Sequence, residues 1–296
     1  MLAAGSRRRA IAEMFEIVEA KWGSMSKLTD SVSIERGRLE RGPLSRLFSH
    51  ESMALVVEGF LDPRECERLG DRLASLEARP WHVSTAGGLE DSGVATPLGV
   101  PRNLAFGDDY HNTVEPATRA LRDLCGGGGF ASPLDRLRAD LDDVWGARVA
   151  RDKGKPAHAG LGRVMRGPSR GGLVHVDDLA PLRKDRGLFS ANIYLKLPPA
   201  GGGLELWPVG IRSRWDFYAN APTLSALAGG FQDPASQARL RRRLPPPALV
   251  HPNPGDLVIL CVQRPHAVAA FETGYRVSLQ SFITHEGPTN PLLLEA

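Results

Sequence analysis

The sequence predicts a fold of the α+β class whose core is mainly β, arranged as a sandwich or jelly-roll barrel. Three observations predict it. From about residue 159 onward, short apolar runs with strand character alternate with turns rich in Gly and Pro. Before that point, apolar residues recur at helical spacing. Between residues 211 and 247 a helical pattern interrupts the strand series, and this stretch is too long for a simple connection.

The N-terminal residues 1–50 are expected to form a helical extension outside the main domain. Within it, residues 7–22 read as an amphipathic helix with one apolar stripe, whereas residues 24–45 are polar and irregular. An apolar stripe needs a partner surface, so this helix either packs on its own chain or joins two copies as a homodimer.

The main domain is expected to span residues 51–296 and to begin with a strand near residues 54–61. Asp62 is a good N-cap for the helix that follows, and Pro63 suits its first position. Further helices are predicted at residues 113–124 and 133–144.

The strand-rich core is placed at about residues 159–284, with residues 211–247 as a helical insertion. The predicted strands are residues 161–166, 173–176, 190–197, 203–207, 257–262, 267–270 and 275–283. The insertion is a candidate lid or substrate-binding element.

Composition narrows the class of protein. A chain that is 42% hydrophobic and 24% charged is typical of a soluble globular protein. The net charge of +3 is small, and the arginine runs 7–9 and 241–243 have no interleaved aromatic residues, which argues against a nucleic-acid partner. Three cysteines without paired spacing indicate a reducing compartment, and no apolar run is long enough to span a bilayer. We therefore expect a cytoplasmic protein without a membrane partner.

The segment His175-Val176-Asp177 carries the strongest chemical signal. Side chains two apart on a strand share a face, so His175 and Asp177 can bind one metal ion, and His266 would arrive from a distant strand. Two histidines and one carboxylate with open positions are typical of non-haem Fe(II), although Zn²⁺ accepts similar ligands.

Other residues compete for these ligand positions. Asp178 lies on the opposite strand face from His175, which favours Asp177 as the carboxylate. His251 and His285 are substitutes for His266, but only His266 is followed ten residues later by an arginine, Arg276.

Several motifs in a fixed order extend this signal. They are Gly59-Phe60-Leu61-Asp62-Pro63, His175-Val176-Asp177, Gly201-Gly202-Gly203-Leu204-Glu205-Leu206, Pro254-Gly255-Asp256-Leu257-Val258, His266 and Tyr275-Arg276-Val277-Ser278. With these, the chain resembles the Fe(II)/2-oxoglutarate-dependent oxygenases, and more closely the small-molecule hydroxylase and halogenase branch. The resemblance covers roughly residues 50 to 284. It implies a double-stranded β-helix, which is the cupin-like form of a jelly roll.

The resemblance also implies cofactors and roles. His175, Asp177 and His266 would hold Fe(II), and 2-oxoglutarate and O2 would be consumed to hydroxylate an unactivated C–H bond, with release of succinate and CO2. Arg276 would hold the distal carboxylate of 2-oxoglutarate, because a guanidinium offers a two-pronged match, and Ser278 would assist it.

Other residues are weaker candidates. Asn192 and Tyr194 alternate along a core strand, so either could touch the co-substrate. Candidate substrate residues near the barrel and the insertion are Arg163, Trp207, Trp215, Phe217 and Tyr218. The composition suggests a GC-rich bacterial genome and hence a small-molecule substrate in natural-product biosynthesis.

Four alternatives stay open at this point. The same cofactors support desaturation or cyclisation, and a peptide could replace the small molecule. Halogenation is disfavoured because halogenases that resemble this chain lack a carboxylate where Asp177 stands. A cupin-like metal-binding isomerase or sensor would leave Arg276 and Ser278 without a role.

Overall fold

A computed structural model of the chain describes residues 28–80, 93–95, 98, 108–126, 132–169, 173–227 and 234–296. The helix expected at residues 7–22, its dimer contact and most of the stretch 81–106 lie outside these residues. Within them, no helix is long and apolar enough to cross a membrane.

The strands and helices confirm a mixed α+β architecture. In chain order, the strands are β1 (Val32–Arg36), β2 (Ala54–Glu58), β3 (Ala78–Pro80), β4 (Gly93–Ala95), β5 (Ala147–Val149), β6 (Arg151–Asp152), β7 (Lys155–Pro156), β8 (Leu161–Arg166), β9 (Gly187–Lys196), β10 (Leu204–Leu206), β11 (Ala248–Val250), β12 (Leu257–Cys261), β13 (His266–Val268), β14 (Tyr275–His285) and β15 (Leu292–Glu295). The helices are α1 (Arg41–Phe48), α2 (Pro63–Ser75), α3 (Asp108–Cys125), α4 (Pro133–Val144), α5 (Arg214–Ala219), α6 (Ala221–Ser225) and α7 (Pro234–Arg243).

A ten-stranded mixed sheet forms the centre, with the main order β1-β2-β12-β9-β14-β8-β4-β3. Strand β15 pairs with β14 and extends the sheet to β5. A second sheet of three strands has the order β11-β10-β13, and β6 pairs with β7. The strand that carries His266 therefore belongs to the small sheet, and the strand that carries Arg276 belongs to the large one.

One face of the large sheet is covered by helices. Alternate residues of β14, among them Val277, Leu279 and Ile283, are fully buried in a cluster with apolar residues of α1, α2 and α4. Helix α2 begins as predicted, because the Asp62 side chain accepts a hydrogen bond from the Arg64 N–H and Pro63 occupies the first turn. This helical layer is the main apolar core.

The small sheet covers part of the opposite face. Leu204 and Leu206 of β10 and Val250 of β11 pack against Val56 and Val258 of the large sheet. The two sheets thus enclose a second interior, and the polar side chains of β9 and β14 point to the same side of the large sheet as this cluster.

Two of the sequence motifs meet in space. The Gly59 N–H donates to Asp256 Oδ1 at 2.9 Å, and the Leu61 N–H donates to the Gly255 carbonyl at 2.9 Å. Gly255 has φ +100°, and a Cβ there would lie 2.7 Å from the Leu61 carbonyl oxygen, so only glycine permits this contact. The turn thereby joins β12 to the start of α2.

The prediction for residues 24–45 was wrong. Residues 32–36 form β1, which pairs in parallel with β2, and residues 41–48 form α1. Polar residues, Ser33 and Glu35, flank Ile34 on this edge strand, so the segment looks irregular by composition although its backbone is paired. The strands β5, β6, β7, β11 and β15 were also missed, because runs of two to four residues carry too little periodicity.

Candidate metal centre

The three predicted ligands lie together beside the small sheet, where His266 is buried, His175 is partly buried and Asp177 is exposed. One donor atom from each of His175, Asp177 and His266 lies within 4.8 Å of the other two. His175 Nε2 is 3.4 Å from Asp177 Oδ1, and His266 Nε2 is 3.6 Å from Asp177 Oδ2. These residues are the group able to hold a metal ion among the described residues.

Hydrogen bonds orient both imidazoles in the same way. His175 Nδ1 donates to the Leu173 carbonyl at 2.7 Å, and His266 Nδ1 donates to the Arg264 carbonyl at 3.0 Å. Because each Nδ1 donates to a carbonyl, each Nε2 lies on the side of Asp177, where the neutral ring can offer its lone pair to a metal ion. This arrangement is the one that a metal-binding histidine requires.

The electrostatics also suit a cation. Burial, followed by repulsion from His175, lowers the pKa of His266 to about 4. The surrounding protein atoms displace water and oppose ionisation of Asp177, but the hydrogen bond with His175 and the nearby positive charges outweigh this effect and lower the pKa of Asp177 to about 2. Burial likewise disfavours charge on His175, but the hydrogen bond to Asp177 outweighs it and raises that pKa. At neutral pH the centre therefore presents one carboxylate and at least one unprotonated imidazole.

The backbone at these residues differs from the prediction. Residues 173–176 are not a strand, because only His175 makes an isolated bridge, with His266, and Asp177 lies in a bend. The His175 and His266 backbones nevertheless exchange two hydrogen bonds, of 3.1 and 3.0 Å, and the Asp177 N–H donates to the Val262 carbonyl. His175 and Asp177 therefore still lie on the same side of the backbone, as in a strand, although no continuous β-ladder forms.

Arg276 is a buried cation in the same interior, and 3% of its surface is exposed. Its Nη2 donates to the Tyr194 hydroxyl at 2.9 Å and its Nε donates to the Gly202 carbonyl at 3.0 Å. Its Nη1 meets only the Met165 sulfur, at 3.6 Å, and none of its contacts within the described chain is a carboxylate. Burial raises the pKa of Tyr194, which keeps this phenol protonated as a donor.

The glycine turn predicted from the sequence supplies one of these contacts. Gly201 and Gly202 have φ of +79° and +71°, and a Cβ on Gly201 would lie 2.0 Å from the Ala270 carbonyl oxygen. Only glycine can therefore bring the Gly202 carbonyl over the guanidinium of Arg276. Sequence reasoning placed this turn in the core but missed its contact with Arg276.

The Ser278 hydroxyl is buried and has no hydrogen-bond partner among the described residues. Ser278 lies directly between Tyr194 of β9 and Arg163 of β8 across the sheet. A buried hydroxyl without a partner is costly, so its presence beside Arg276 points to a polar ligand.

A hydrogen-bond network continues along the same face. Arg163 Nη1 donates to Gln280 Oε1 at 2.7 Å, and Gln280 Nε2 donates to Ser190 Oγ at 2.9 Å. Asn192 Nδ2 donates to the same oxygen at 3.1 Å. Burial, followed by the charge of Arg276, lowers the pKa of Arg163 to about 10, which still leaves it cationic at neutral pH. Sequence reasoning missed Gln280, although its position two residues beyond Ser278 was a usable signal.

The four aromatic residues predicted to contact the substrate differ in their exposure to solvent. Trp207 is fully buried in an apolar cluster and lies 5.4 Å from the Arg241 guanidinium. Helix α5 exposes Trp215 and Tyr218, by 82% and 69%, and Phe217 is 37% exposed. A role for these four residues in substrate binding stays a prediction.

The competing ligands lie elsewhere. Asp178 Oδ1 accepts a hydrogen bond from the Ala180 N–H, which fits a turn residue. The His285 ring stacks on Phe48 at 4.7 Å, on the helix-covered side of the large sheet. His251 is exposed. None of the three belongs to the group around His175.

Comparison with known proteins gives a likeness of fold. No family model and no curated protein sequence matches the chain. A solved structure of an N-substituted L-amino acid dioxygenase from Burkholderia ambifaria AMMD, in complex with alpha-KG, is similar over 86% of this chain and 90% of its own, with a TM-score of 0.51 and 14% identity.

Two further structures are weaker matches. A 2OG-Fe(II) oxygenase family oxidoreductase from Burkholderia pseudomallei covers 88% of this chain and 99% of its own, at 16% identity and a TM-score of 0.45. HygX from Streptomyces hygroscopicus, with nickel and 2-oxoglutarate bound, covers 85% and 88%, at 16% identity and a TM-score of 0.42. The first structure, at a TM-score of 0.51, shows that this chain shares the fold of a 2-oxoglutarate-binding dioxygenase, and the resemblance drawn from its motifs is thus confirmed at the level of the fold.

Proposed function

We propose that this protein is an Fe(II)- and 2-oxoglutarate-dependent oxygenase, built on a double-stranded β-helix, that hydroxylates a small molecule. The observation that carries the proposal is the combination of two ligand sites in one interior. Three metal-binding side chains converge at one of them, and a buried arginine lies beside a hydroxyl without a partner at the other.

The residues fit both cofactors. His175, Asp177 and His266 present two nitrogen lone pairs and one carboxylate, which suits Fe(II) and leaves coordination positions open. At the second site, Arg276 and Ser278 offer a cation and a hydroxyl donor to one carboxylate, and Tyr194 adds a phenol next to the guanidinium. When bound, Fe(II) and 2-oxoglutarate would supply the oxidising chemistry, in which 2-oxoglutarate would be oxidised by O2 to succinate and CO2 and the second oxygen atom would be available for the C–H bond.

The protein's own contribution is to position the co-substrate and to close one side of the site. Arg276 is held by Tyr194 and Gly202, so its remaining N–H groups point in a defined direction before any ligand arrives. Apolar residues of both sheets, such as Leu204, Leu206 and Val258, close the interior behind these groups. An oriented site is what selective oxidation of one C–H bond requires.

Asp177 favours hydroxylation over halogenation. Its carboxylate lies 3.4 and 3.6 Å from the two histidine Nε2 atoms, where a bound ion would use it as a third ligand. A halide would need that position. Desaturation and cyclisation use the same groups and depend on the substrate, as does action on a peptide.

An anaerobic titration tests the proposal. Protein loaded with Fe(II) is titrated with 2-oxoglutarate, and the visible charge-transfer absorption of the chelate is followed. We expect the band in wild-type protein and a loss of affinity of about 10- to 100-fold in Arg276→Met, because a charged hydrogen bond contributes roughly 1.5–3 kcal/mol.

Arg166→Met is the matched control. It removes an exposed arginine from the adjacent strand, next to Tyr275, and should leave the titration unchanged. Wild-type protein that binds iron without forming the band would exclude the oxygenase and favour a cupin-like isomerase or sensor. A band that is equally strong in Arg276→Met would show that Arg276 has a structural role instead.

A further inference from the structure

The segment that carries His175 and Asp177 forms backbone hydrogen bonds on both sides, because its successive N–H groups donate in alternate directions. The N–H group of His175 donates to the carbonyl of His266 in β13, and the N–H group of Asp177 donates to the carbonyl of Val262, which follows β12. The N–H groups of Val174 and Val176, which point the other way, donate to acceptors in the insertion. The alternation is that of a strand with neighbours on both sides.

The insertion supplies acceptors that a neighbouring strand would otherwise provide. Leu227, after α6, accepts from the Val176 N–H through its carbonyl at 3.2 Å. Gln237 of α7 accepts from the Val174 N–H through its side-chain Oε1 at 2.9 Å. Buried backbone N–H groups without acceptors cost free energy. These two contacts supply the acceptors, which explains how His175 can be stably placed although it makes only an isolated bridge.

The position of Gln237 is itself well defined. It is 6% exposed, and Leu240 of the same helix packs with Val174 and Leu227 in one apolar cluster. Arg241, one residue further on, forms an ion pair with Glu205 of β10 at 2.5 Å. Helix α7 is therefore fixed against the small sheet and presents Gln237 to the residue that precedes His175.

We propose that the insertion is part of the metal site and that Gln237 is a positioning residue, which sets the backbone of Val174 and through it the orientation of His175. The inference rests on the metal centre of the proposed function. On this proposal the segment around α7 is a fixed wall of the metal site and does not act as a lid. Misplacing a metal ligand by a fraction of an ångström is enough to weaken binding.

The test compares metal binding in three variants of the full chain. Gln237→Met keeps the size of the side chain and removes the acceptor, whereas Gln237→Glu keeps an acceptor oxygen. Arg239→Met, on the exposed side of the same helix, is the control. Co(II) affinity is measured by calorimetry, and hydrogen–deuterium exchange is measured for the peptide that contains residues 173–177.

We expect Gln237→Met to lose about 10-fold or more in Co(II) affinity, which is the range for groups that orient metal ligands. Exchange at residues 173–177 should increase in the same variant, and Gln237→Glu should recover most of the affinity. If Gln237→Met does not fold, Gln237→Asn withdraws the acceptor by one methylene group and replaces it in the comparison.

Wild-type affinity in Gln237→Met, or an equal loss in Gln237→Met and Gln237→Glu, would overturn the inference. Failure of the proposed function looks different, since wild-type protein would then bind no metal or would bind metal without 2-oxoglutarate. The Co(II) titration of the variants and the 2-oxoglutarate titration of the wild-type protein therefore distinguish the two failures.

Discussion

Strand β14 has two faces with opposite chemistry, and they contribute to different properties of the protein. Val277, Leu279 and Ile283 point into the helix-covered core. Arg276, Ser278 and Gln280 lie on the other face, where Arg276 contacts Tyr194 and Gln280 contacts Arg163, and all three are at least nine-tenths buried. Burying such polar groups without full pairing costs stability, whereas each large apolar side chain on the other face contributes roughly 1.5–3 kcal/mol. The comparison teaches that one strand can stabilise the fold on one side and keep a ligand site on the other.

The largest effect is expected at the metal end of the polar interior. Asp177→Ala removes the proposed carboxylate ligand, so Fe(II) affinity should fall by more than about 100-fold, beyond the usual loss for an orienting group, and the proposed hydroxylation should be abolished. Isothermal titration with Fe(II) under anaerobic conditions and succinate release measure the two effects. Asp178→Ala is the control, and near-normal turnover in Asp177→Ala would disprove the ligand assignment.

A substitution on the apolar face of β14 should lower stability and leave ligand affinity unchanged. Leu279→Ala deletes a fully buried side chain and should lower the free energy of unfolding by about 3 kcal/mol, within the usual range for such changes. The apparent affinity for 2-oxoglutarate should stay the same at a temperature where the variant is folded. Urea unfolding and the chelate titration measure both quantities, and a large loss of affinity would mean that the two faces are not separable.

Lowering the pH should decrease the free energy of unfolding through His158, which lies outside the polar face of β14. His158 is 1% exposed and lies 2.9 Å from the Thr113 hydroxyl of α3, and burial, followed by the charge of His111, lowers its pKa from 6.5 to about 4. Below pH 6.5 the unfolded chain binds a proton that the folded chain does not. Stability is therefore lost as the pH falls from 6.5 towards 4, by up to about 3 kcal/mol for this residue.

Unfolding in urea at a series of pH values measures this loss. His158→Gln keeps a hydrogen-bond donor and cannot take up a proton, so its stability should depend less on pH than that of the wild-type protein. Equal slopes for the two proteins would show that His158 is not responsible.

The smallest effect is expected when Ser278 and Ser281, two buried serines of β14, are each replaced by alanine. Ser278→Ala removes the hydroxyl that lacks a partner, so we expect unchanged or slightly higher stability and an increase of about fivefold in the KM for 2-oxoglutarate, equivalent to roughly 1 kcal/mol. Ser281→Ala is a matched control, because Ser281 is equally buried on β14 and its hydroxyl donates to the Phe282 carbonyl. Parallel behaviour of the two variants would contradict a ligand at Ser278.

The sequence predicted the regular parts of the fold well. The strand at residues 161–166 and the helix at residues 133–144 have the predicted bounds, and the insertion contains α5, α6 and α7. The helix at residues 133–144 has apolar residues at helical spacing and a capping serine, Ser132. Strand β1 was missed because charged residues on an edge strand carry the composition of a loop, and its pairing with β2 joins residues far enough apart that no local signal exists.

For the site, the sequence alone determined which residue types are available and which of them share a strand face. Spacing grouped His175 with Asp177 and Arg276 with Ser278, because side chains alternate with a period of two in extended backbone. Only the tertiary structure decided that His266 faces Asp177, that Gly202 and Tyr194 hold Arg276, and that Gln237 supports Val174. The physical reason is that these contacts join separate elements whose approach depends on the packing of whole layers, which no local pattern encodes.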